Sequence, residues 1–287
     1  MSAPFPSAVP ALRGRVGRDA RSGYFPVPHR YRLHLALSCP DGLRIAVTHG
    51  LLGLDDTLPM NLLPAVPDTD GGGYSVLRPL YEASSHRHPG PATAPVLSDD
   101  WSGRIVSTDP AEILTDLARR FDGAGADLHP SGAETAIEAV GLLCERTVNA
   151  PAQRAGRADA APAERAAALR TLLDGLAVVE RRLDGRDHLL GAGPTFADVQ
   201  LWVTLVQLDT VHRWHLDAAA VRLIAEHPRV WAYARRLAGH PAFGRHLDLA
   251  GTALRHHARC QGKEAAGAAM QIVDWAEHAQ RWVLQPG

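Results

Sequence analysis

The sequence predicts an α/β domain followed by an all-α domain. Residues 31–37 alternate as in a strand and run directly into helical spacing. Residues 94–107 have the pattern of a hairpin and lead into another helix, and every periodic segment after residue 123 has helical spacing. A chain of 287 residues is long enough to bury two hydrophobic cores.

The first predicted strand and helix are adjacent. Large apolar side chains alternate with smaller or polar ones from Tyr31 to Leu37, a period of two that indicates a strand. The chain then enters Cys39-Pro40-Asp41-Gly42. Pro40 suits the first position of a helix, because its fixed φ is helical and its missing N–H has no partner there. Apolar residues recur every four positions from Leu43 to Leu51, so a helix follows the strand.

A hairpin is the next predicted feature. The thirty or so residues after the first helix are rich in Pro, Gly and Asp and predict no element. Short strands are then predicted at Ala94–Leu97 and Arg104–Ser107, with a turn of Asp, Ser and Gly between them at Asp99–Gly103.

A helix is predicted after the hairpin. Asp109 is a good N-cap, Pro110 suits the first position, and Glu112 lies at the third position, where it can reach back to the cap. An apolar stripe runs from Ile113 to Phe121, so this helix completes the α/β part of the chain.

The second half of the chain predicts helices. Capping boxes at Ser131–Glu134 and Thr195–Asp198 begin two of them. The helix after the second box, residues 199–211, is apolar on nearly all sides, which indicates a buried central helix. Residues 150–162 contain mainly Ala, Pro, Arg and Gly and predict a loop.

The remaining helices set the domain bounds. A long amphipathic helix is predicted at Leu169–Leu183, another begins at Pro228, and a last one lies in the tail with Met270, Val273 and Trp282. The expected units are an irregular arm (1–30), the α/β domain (31–122), the helical domain (131–258) and a helical tail (259–287).

Composition excludes several classes of function. Lys and Arg number 30 against 31 Asp and Glu, a net charge of −1, so a general nucleic-acid binder is not expected. No apolar run approaches the roughly 20 residues of a membrane-spanning helix. Three cysteines are too few and too scattered for a disulfide framework, which favours a reducing cytoplasm.

Cys39 carries the strongest chemical signal. It lies where a strand ends and a helix begins, and the unpaired N–H groups and partial positive charge of a helix N-terminus favour a thiolate. A thiolate attacks disulfide sulfur or electrophilic carbon. Arg44 adds positive charge nearby and Asp41 opposes it. The motif has no second cysteine, so a disulfide at Cys39 needs an outside thiol to resolve it; an incidental cysteine is the alternative.

Other candidate sites have structural alternatives. A cis bond at Ala94-Pro95 would expose backbone groups to a peptide-like ligand, whereas a trans edge proline is the ordinary reading. The helix start at Asp109 suits either a ligand carboxylate or a plain cap.

No metal site is predicted. His212 and His215 have the i, i+3 spacing that zinc uses, but no neighbouring Cys or acidic residue completes the set at metal spacing. Cys144 falls on the apolar face of its helix and is expected in the core. Cys260 follows two histidines and is assigned no role.

Several segments, in order, resemble one known family. They are Arg30-Tyr31 with Ser38-Cys39-Pro40 and Arg44, Leu80-Tyr81-Glu82, Thr93-Ala94-Pro95-Val96-Leu97, Ile105-Val106-Ser107-Thr108-Asp109, Thr195-Phe196-Ala197-Asp198, and His227-Pro228-Arg229-Val230-Trp231. Together, over about residues 30–258, they resemble the glutathione transferase superfamily and more closely its Xi class, the glutathionyl-hydroquinone reductases.

The resemblance implies a thioredoxin-like N-terminal domain on an all-helical glutathione-transferase C-terminal domain, as a homodimer. It makes Cys39 the nucleophile, which takes the thiol from a thioether adduct as a mixed disulfide. Ala94 and the cis-Pro95 would bind the peptide part of the thiol, Asp109 its γ-glutamyl amine, and Tyr74 would cover it. The thiol, glutathione in the family, is a co-substrate, and no permanently bound cofactor is implied.

The resemblance also implies a second-substrate pocket for an aromatic or quinone-like molecule. Gln153 and His257 align with the two family tyrosines of that pocket, and His212 is expected beside them. The chain departs from the family pattern at Asp41, which replaces a Trp, at Pro91, which replaces a basic residue, and at Pro110, which replaces a Ser.

Two functions fit these departures. The first is an enzyme that keeps Cys39 and uses another low-molecular-weight thiol, such as mycothiol. The second is a non-catalytic module of the same fold that binds a small ligand or a protein partner. The first is preferred, because the helix start at which Cys39 lies activates a thiol and an inert protein has no need of that position.

Overall fold

The computed structural model describes residues 12–121, 123–260 and 270–280. Its N-terminal part contains β1 (Tyr31–Leu35), α1 (Pro40–Leu51), β2 (Met60–Leu62), α2 (Arg78–Ser84), β3 (Val96–Asp99), β4 (Arg104–Ser107) and α3 (Pro110–Arg120). Its C-terminal part contains α4 (Glu134–Leu143), a π-helical turn (Cys144–Asn149), α5 (Ala150–Ala155), α6 (Pro162–Arg182), α7 (Phe196–Thr210), α8 (Ala218–Ala225), α9 (Pro228–Ala238), α10 (Pro241–Gly244), α11 (Leu249–Cys260) and α12 (Trp275–Gln280).

The strands form one mixed sheet in the order β2-β1-β3-β4. β1 pairs in parallel with β2 and antiparallel with β3, and β3 and β4 form the predicted antiparallel hairpin. Burial alternates along β1 as its period of two predicts. β3 begins two residues later than predicted, because Pro95 has no N–H to donate to the ladder. The predicted α/β domain followed by an all-α domain is confirmed.

The N-terminal arm extends this sheet. Arg13 forms an isolated antiparallel bridge with Ser107, and Gly14 N donates to Val106 O at 2.7 Å. A Cβ on Gly14 would lie 2.5 Å from Val106 O, so this close approach requires glycine. The described part of the arm is therefore held on the edge of β4, next to the start of α3.

Two predictions in the helical part are wrong. The Ser131–Glu134 capping box does not form, because Gly132 adopts a φ of +83° and Ala133 N donates to Pro130 O. This turn leaves Ser131 exposed, and α4 begins only at Glu134. The predicted loop at 150–162 begins with α5, which continues the π-helical turn without a break, so that Pro151 lies inside a continuous helix.

The capping box that begins α7 is confirmed. Thr195 and Asp198 bond in both directions. Asp198, fully buried, also accepts from Leu189 N at 2.9 Å and from the Tyr233 hydroxyl at 2.8 Å. α7 is buried on nearly all sides, as predicted, and packs against α1, so that the two parts of the molecule share one apolar core.

A second buried carboxylate ties the tail to the helical part. Asp209 accepts from Ile272 N, Val273 N and Trp275 Nε1 at 2.9 to 3.0 Å. The Trp275 side chain is fully buried against this core. The Trp282 of the predicted tail helix lies outside the described residues. Among the described residues, no helix has the length and hydropathy that crossing a bilayer requires.

Candidate active site

Cys39 is the N-cap residue of α1. Its backbone is extended (φ −96°, ψ 134°), and its side chain makes no capping hydrogen bond. Gly42 allows the chain to turn tightly here, since a Cβ at that position would lie 2.2 Å from Ala36 O. The Cys39 side chain is half-buried and packs on the small apolar cluster that contains Tyr74. The strand-to-helix turn therefore leaves Cys39 partly exposed between two residues that line a cavity.

Two neighbouring cavities lie between the α/β part and the helical part. The larger, of about 600 Å³, is lined by Ser38 and Pro40, the neighbours of Cys39, and by residues of α5, α7 and α11. The smaller, of about 470 Å³, runs past the start of α3. Both are bordered by Asp41, Arg44, Glu145 and Asn149. The two cavities, together called the groove, thus share a wall beside the turn that holds Cys39; Asp109 lines the smaller one and α11 the larger one.

The Ala94-Pro95 bond is cis. Ala94 is half-buried and packs on the same small cluster as Cys39. Within the described part of the chain, neither the N–H nor the C=O of Ala94 takes part in a backbone hydrogen bond. Both groups are therefore available to pair with an extended peptide-like ligand.

Asp109 is already engaged. Its carboxylate caps α3 by accepting from Ala111 N and Glu112 N, and it also forms an ion pair with Arg13 of the N-terminal arm. The hydrogen bond from Arg13, followed by those of the cap, holds the pKa of the Asp109 carboxyl below its usual range. A ligand amine at Asp109 would compete with Arg13.

The predicted reach of Glu112 back to the cap is replaced by a relay. Asp109 N donates to Ser107 Oγ at 3.1 Å, and Ser107 Oγ donates to Glu112 Oε2 at 3.1 Å. The Ser107 hydroxyl thus links the Asp109 N–H to the Glu112 carboxylate, which does not reach that N–H directly. Pro110 follows the cap, and it has neither a hydroxyl nor an N–H to offer a ligand.

The charge expected from Arg44 is neutralised locally. Arg44 Nη1 lies 2.7 Å from Asp41 Oδ1, so the two residues after the Cys39 turn form an ion pair at the junction of the cavities. The Asp41 of this chain thus contributes a polar wall where the family pattern has the flat face of a Trp.

Tyr74 lies beneath the site with 2% of its surface exposed. Its hydroxyl accepts a hydrogen bond from Arg255 Nη1 at 3.1 Å, and the same nitrogen donates to Ala65 O at 3.1 Å. The Tyr74 ring is therefore covered, and its link to the larger cavity is the guanidinium of Arg255.

The structure places two of the three predicted second-substrate residues in the larger cavity and the third outside it. Gln153 and His212 line the larger cavity, but His257 is exposed outside it, and its neighbour His256 lines the wall instead. His257 was predicted in this pocket because it aligns with a family tyrosine. Successive side chains on a helix point about 100° apart, so His256 and the adjacent His257 cannot both face the cavity. Burial, then the nearby His215 and His256, lowers the pKa of His212 to about 4.

The structure brings together three side chains on the wall of this cavity whose proximity the sequence did not predict. The ligand atoms of His215, His256 and Cys260 lie within 4.8 Å of one another. The i, i+4 spacing of His256 and Cys260 was a usable signal, but their contact with His215 spans 45 positions and was not visible in the sequence. This set replaces the pairing of His212 with His215 considered there.

Cys144 is the core cysteine that its helix predicts. Its side chain is 3% exposed. Burial raises the pKa of the Cys144 thiol to about 11. The cysteine is thus held as a neutral thiol under the wall of the smaller cavity.

Comparison with known proteins identifies the family. Residues 162–236 match the glutathione S-transferase C-terminal domain. A glutathionyl-hydroquinone reductase of Sphingobium chlorophenolicum is 30% identical over 253 residues, which cover 82% of this chain and 79% of that protein.

Two solved structures have the same fold. The Xi-class glutathione transferase of Natrialba magadii has a TM-score of 0.74 at 25% identity, with 87% of this chain and 81% of that chain covered. The glutathione-bound YqjG of Escherichia coli has a TM-score of 0.72 at 24% identity, with 86% and 88% covered. From its fold and its sequence relatives, the chain belongs to the glutathione transferase superfamily, in the Xi class of glutathionyl-hydroquinone reductases.

Proposed function

We propose that this protein is a cysteine-dependent thiol transferase that removes a low-molecular-weight thiol from an aromatic thioether. Cys39 is the nucleophile. Ala94 and Pro95 bind the peptide part of the thiol, and the larger cavity receives a quinone-like ring beside Gln153 and His212. The observation that carries the proposal is the half-buried, uncapped Cys39 side chain at the start of α1, beside a groove of sufficient size.

The reaction proceeds in two exchanges at sulfur. The Cys39 thiolate attacks the thioether sulfur, an S–S bond forms, and the C–S bond breaks. The aromatic carbon leaves with the bonding electrons, takes a proton and gives the free hydroquinone. A second thiol, as thiolate, then attacks the mixed disulfide, is oxidised to a low-molecular-weight disulfide and returns Cys39 to its thiolate.

The identity of the thiol depends on the start of α3. The Escherichia coli relative was solved with glutathione bound. In this chain Arg13 occupies the carboxylate of Asp109, and Pro110 provides no donor for a carboxylate. The cysteine and cis-proline fit a thiol of either kind, whereas the engaged Asp109 favours one that lacks a γ-glutamyl ammonium, such as mycothiol.

The proposal includes a homodimer in the cytoplasm. Exposed apolar side chains at Leu62 and Val76, which are 55% and 61% exposed, provide surface for a second copy. Light scattering after gel filtration tests the mass in solution. A reducing compartment keeps the cysteines as thiols, and Cys39, Cys144 and Cys260 form no disulfide with one another in the structure.

Intact mass spectrometry tests the chemistry. The reduced protein is incubated with glutathione disulfide and, separately, with mycothiol disulfide. We expect a single adduct with one of them, because only one thiol needs to fit the groove. The adduct is expected to disappear in Cys39→Ser and to persist in Cys144→Ser, whose sulfur is buried.

The same experiment separates the two functions. An adduct that survives in Cys39→Ser contradicts the assignment of the nucleophile. If neither disulfide gives an adduct with the wild type, the protein is instead a ligand-binding module of the transferase fold.

A further inference from the structure

The wall of the larger cavity carries two imidazoles and a thiol close together. His256 and Cys260 lie one helical turn apart on α11, so that both side chains occupy one face of that helix. His215 comes from the short 3-10 turn His212–His215 that follows α7. All three residues line the cavity, and all three lie in described parts of the chain.

The distances within this cluster are those of a metal site. Cys260 Sγ lies 3.5 Å from His215 Nε2 and 3.6 Å from His256 Nδ1. In a tetrahedral zinc site, bonds of about 2.3 Å to sulfur and about 2.05 Å to nitrogen place those ligand atoms about 3.6 Å apart. The ligand atoms of the three residues all lie within 4.8 Å of one another. The three ligand atoms are therefore close enough to one another to share one ion.

The donor set and its position define the class of ion. Imidazole nitrogen with thiolate sulfur suits zinc and the neighbouring divalent transition metals and disfavours magnesium or calcium, which take oxygen ligands. Three protein ligands on a cavity wall leave a fourth position for water or a substrate, whereas structural zinc sites are closed by four.

We propose that His215, His256 and Cys260 form an open site for a divalent transition-metal ion of the zinc class on the wall of the larger cavity. Cys260 binds as a thiolate, and its proton is released to solvent when the ion enters. The site shares the larger cavity with the proposed pocket for the quinone-like ring, but binding of the ion does not require Cys39.

Cobalt(II) is the probe, because its bond to a thiolate absorbs in the near ultraviolet. The reduced, metal-free, full-length protein is titrated with cobalt(II) under anaerobic conditions. We expect this absorption to saturate at one equivalent per chain and to disappear when zinc(II) displaces cobalt. Cys260→Ser should abolish the absorption, and His215→Gln should weaken binding by at least about tenfold.

Two matched variants control for unrelated cysteines and histidines. Cys39→Ser and His86→Gln remove side chains of the same kinds outside the cluster and are expected to keep the absorption at one equivalent. If the wild type shows no stoichiometric absorption, or if the absorption persists in Cys260→Ser, the proposal is wrong.

A second measurement uses only the wild-type protein, so its result does not depend on whether a variant folds. Zinc(II) is added to the wild type, and iodoacetamide labelling of each cysteine is followed by peptide mass spectrometry. We expect zinc to slow the labelling of Cys260 and to leave that of Cys39 unchanged. Equal rates at Cys260 with and without zinc would contradict the site independently of the spectra.

Discussion

At the scale of residues, the three cysteines differ in burial and in their neighbours. Cys39 ends a strand-to-helix turn and is half-buried, Cys144 lies in the core, and Cys260 lies beside two histidines. The reactivity of a thiol depends on its exposure and on the fraction present as thiolate. We therefore expect three different chemistries from the same side chain.

The first residue-scale prediction concerns alkylation. At pH 7, iodoacetamide should label Cys39 at least 100-fold faster than Cys144. Burial raises the pKa of Cys144 to about 11, so about one part in 10⁴ is thiolate at pH 7, and the reagent has little access to it. Timed labelling with peptide mass spectrometry measures both rates, and comparable rates would show that Cys144 is not enclosed in solution.

The second residue-scale prediction concerns Arg13. Arg13→Ala should tighten glutathione binding by about two- to five-fold, because the Asp109 carboxylate then meets the γ-glutamyl ammonium without a competitor. The small factor reflects an ion pair whose arginine is 61% exposed and largely screened by water. Isothermal titration calorimetry with glutathione measures the change.

Arg18→Ala is the matched control for Arg13. Arg18 is exposed on the same arm, so its removal changes the net charge equally without touching Asp109. Equal affinities for the two variants would mean that Arg13 does not restrict access to Asp109.

At the scale of elements, buried carboxylates position the helices that form the groove. Asp198 fixes the start of α7, and Asp209 fixes its end to the tail. Each accepts several hydrogen bonds inside the core, and a buried donor that loses its acceptor costs about 1–3 kcal/mol. α7, which carries Gln207 into the larger cavity, is therefore held at both ends.

The element-scale prediction compares two helix caps. Asp198→Ala should lower the free energy of unfolding by at least about 3 kcal/mol, because it leaves donors at Leu189, Thr195 and Tyr233 buried without their acceptor. Asp217→Ala removes a cap that accepts from Ala220 N at the start of α8 and should cost only about 1 kcal/mol.

Urea unfolding followed by circular dichroism measures both caps. Similar losses for the two variants would mean that the Asp198 network contributes no more than an ordinary helix cap does.

At the scale of the whole molecule, burial of neutral histidines makes stability depend on pH. Burial, followed by nearby positive charge, lowers the pKa of both His212 and His246 to about 4. In an unfolded chain these groups have a pKa near 6.5. As pH falls below that value, the unfolded chain binds protons that the folded protein does not, so stability is present above pH 6.5 and is lost toward pH 4.

The whole-molecule prediction is that stability falls with pH below about 6.5. His246 alone should remove about 2 kcal/mol of stability between pH 7 and pH 5. His246→Gln should lose that part of the pH dependence, whereas His86→Gln, which changes an exposed histidine, should keep it. Denaturant unfolding at pH 7 and pH 5 measures the free energy of unfolding of both variants. If this free energy changes equally with pH in the two variants, His246 is not buried as a neutral side chain.

Helix starts were predictable from the sequence where capping residues act within a few positions. Pro40 at the start of α1, Asp109 at the start of α3 and the Thr195–Asp198 box each act within a few residues, so their patterns predicted the elements correctly. The Ser131–Glu134 pattern failed because a turn with a positive φ at Gly132 competed for the same residues. Spacing is a reliable guide where one local arrangement dominates.

Local patterning and the family resemblance therefore established the class of the protein, the succession of β1, α1, the hairpin and α3, and the place of Cys39 at a helix start, but not β2, α2 or α5. Chain folding alone brought Arg13 to Asp109 across 96 positions and Cys260 to His215 across 45. It also selected His256 over His257 for the cavity wall. Such contacts depend on the packing of distant elements and on the rotation of each helix, which no short-range pattern specifies.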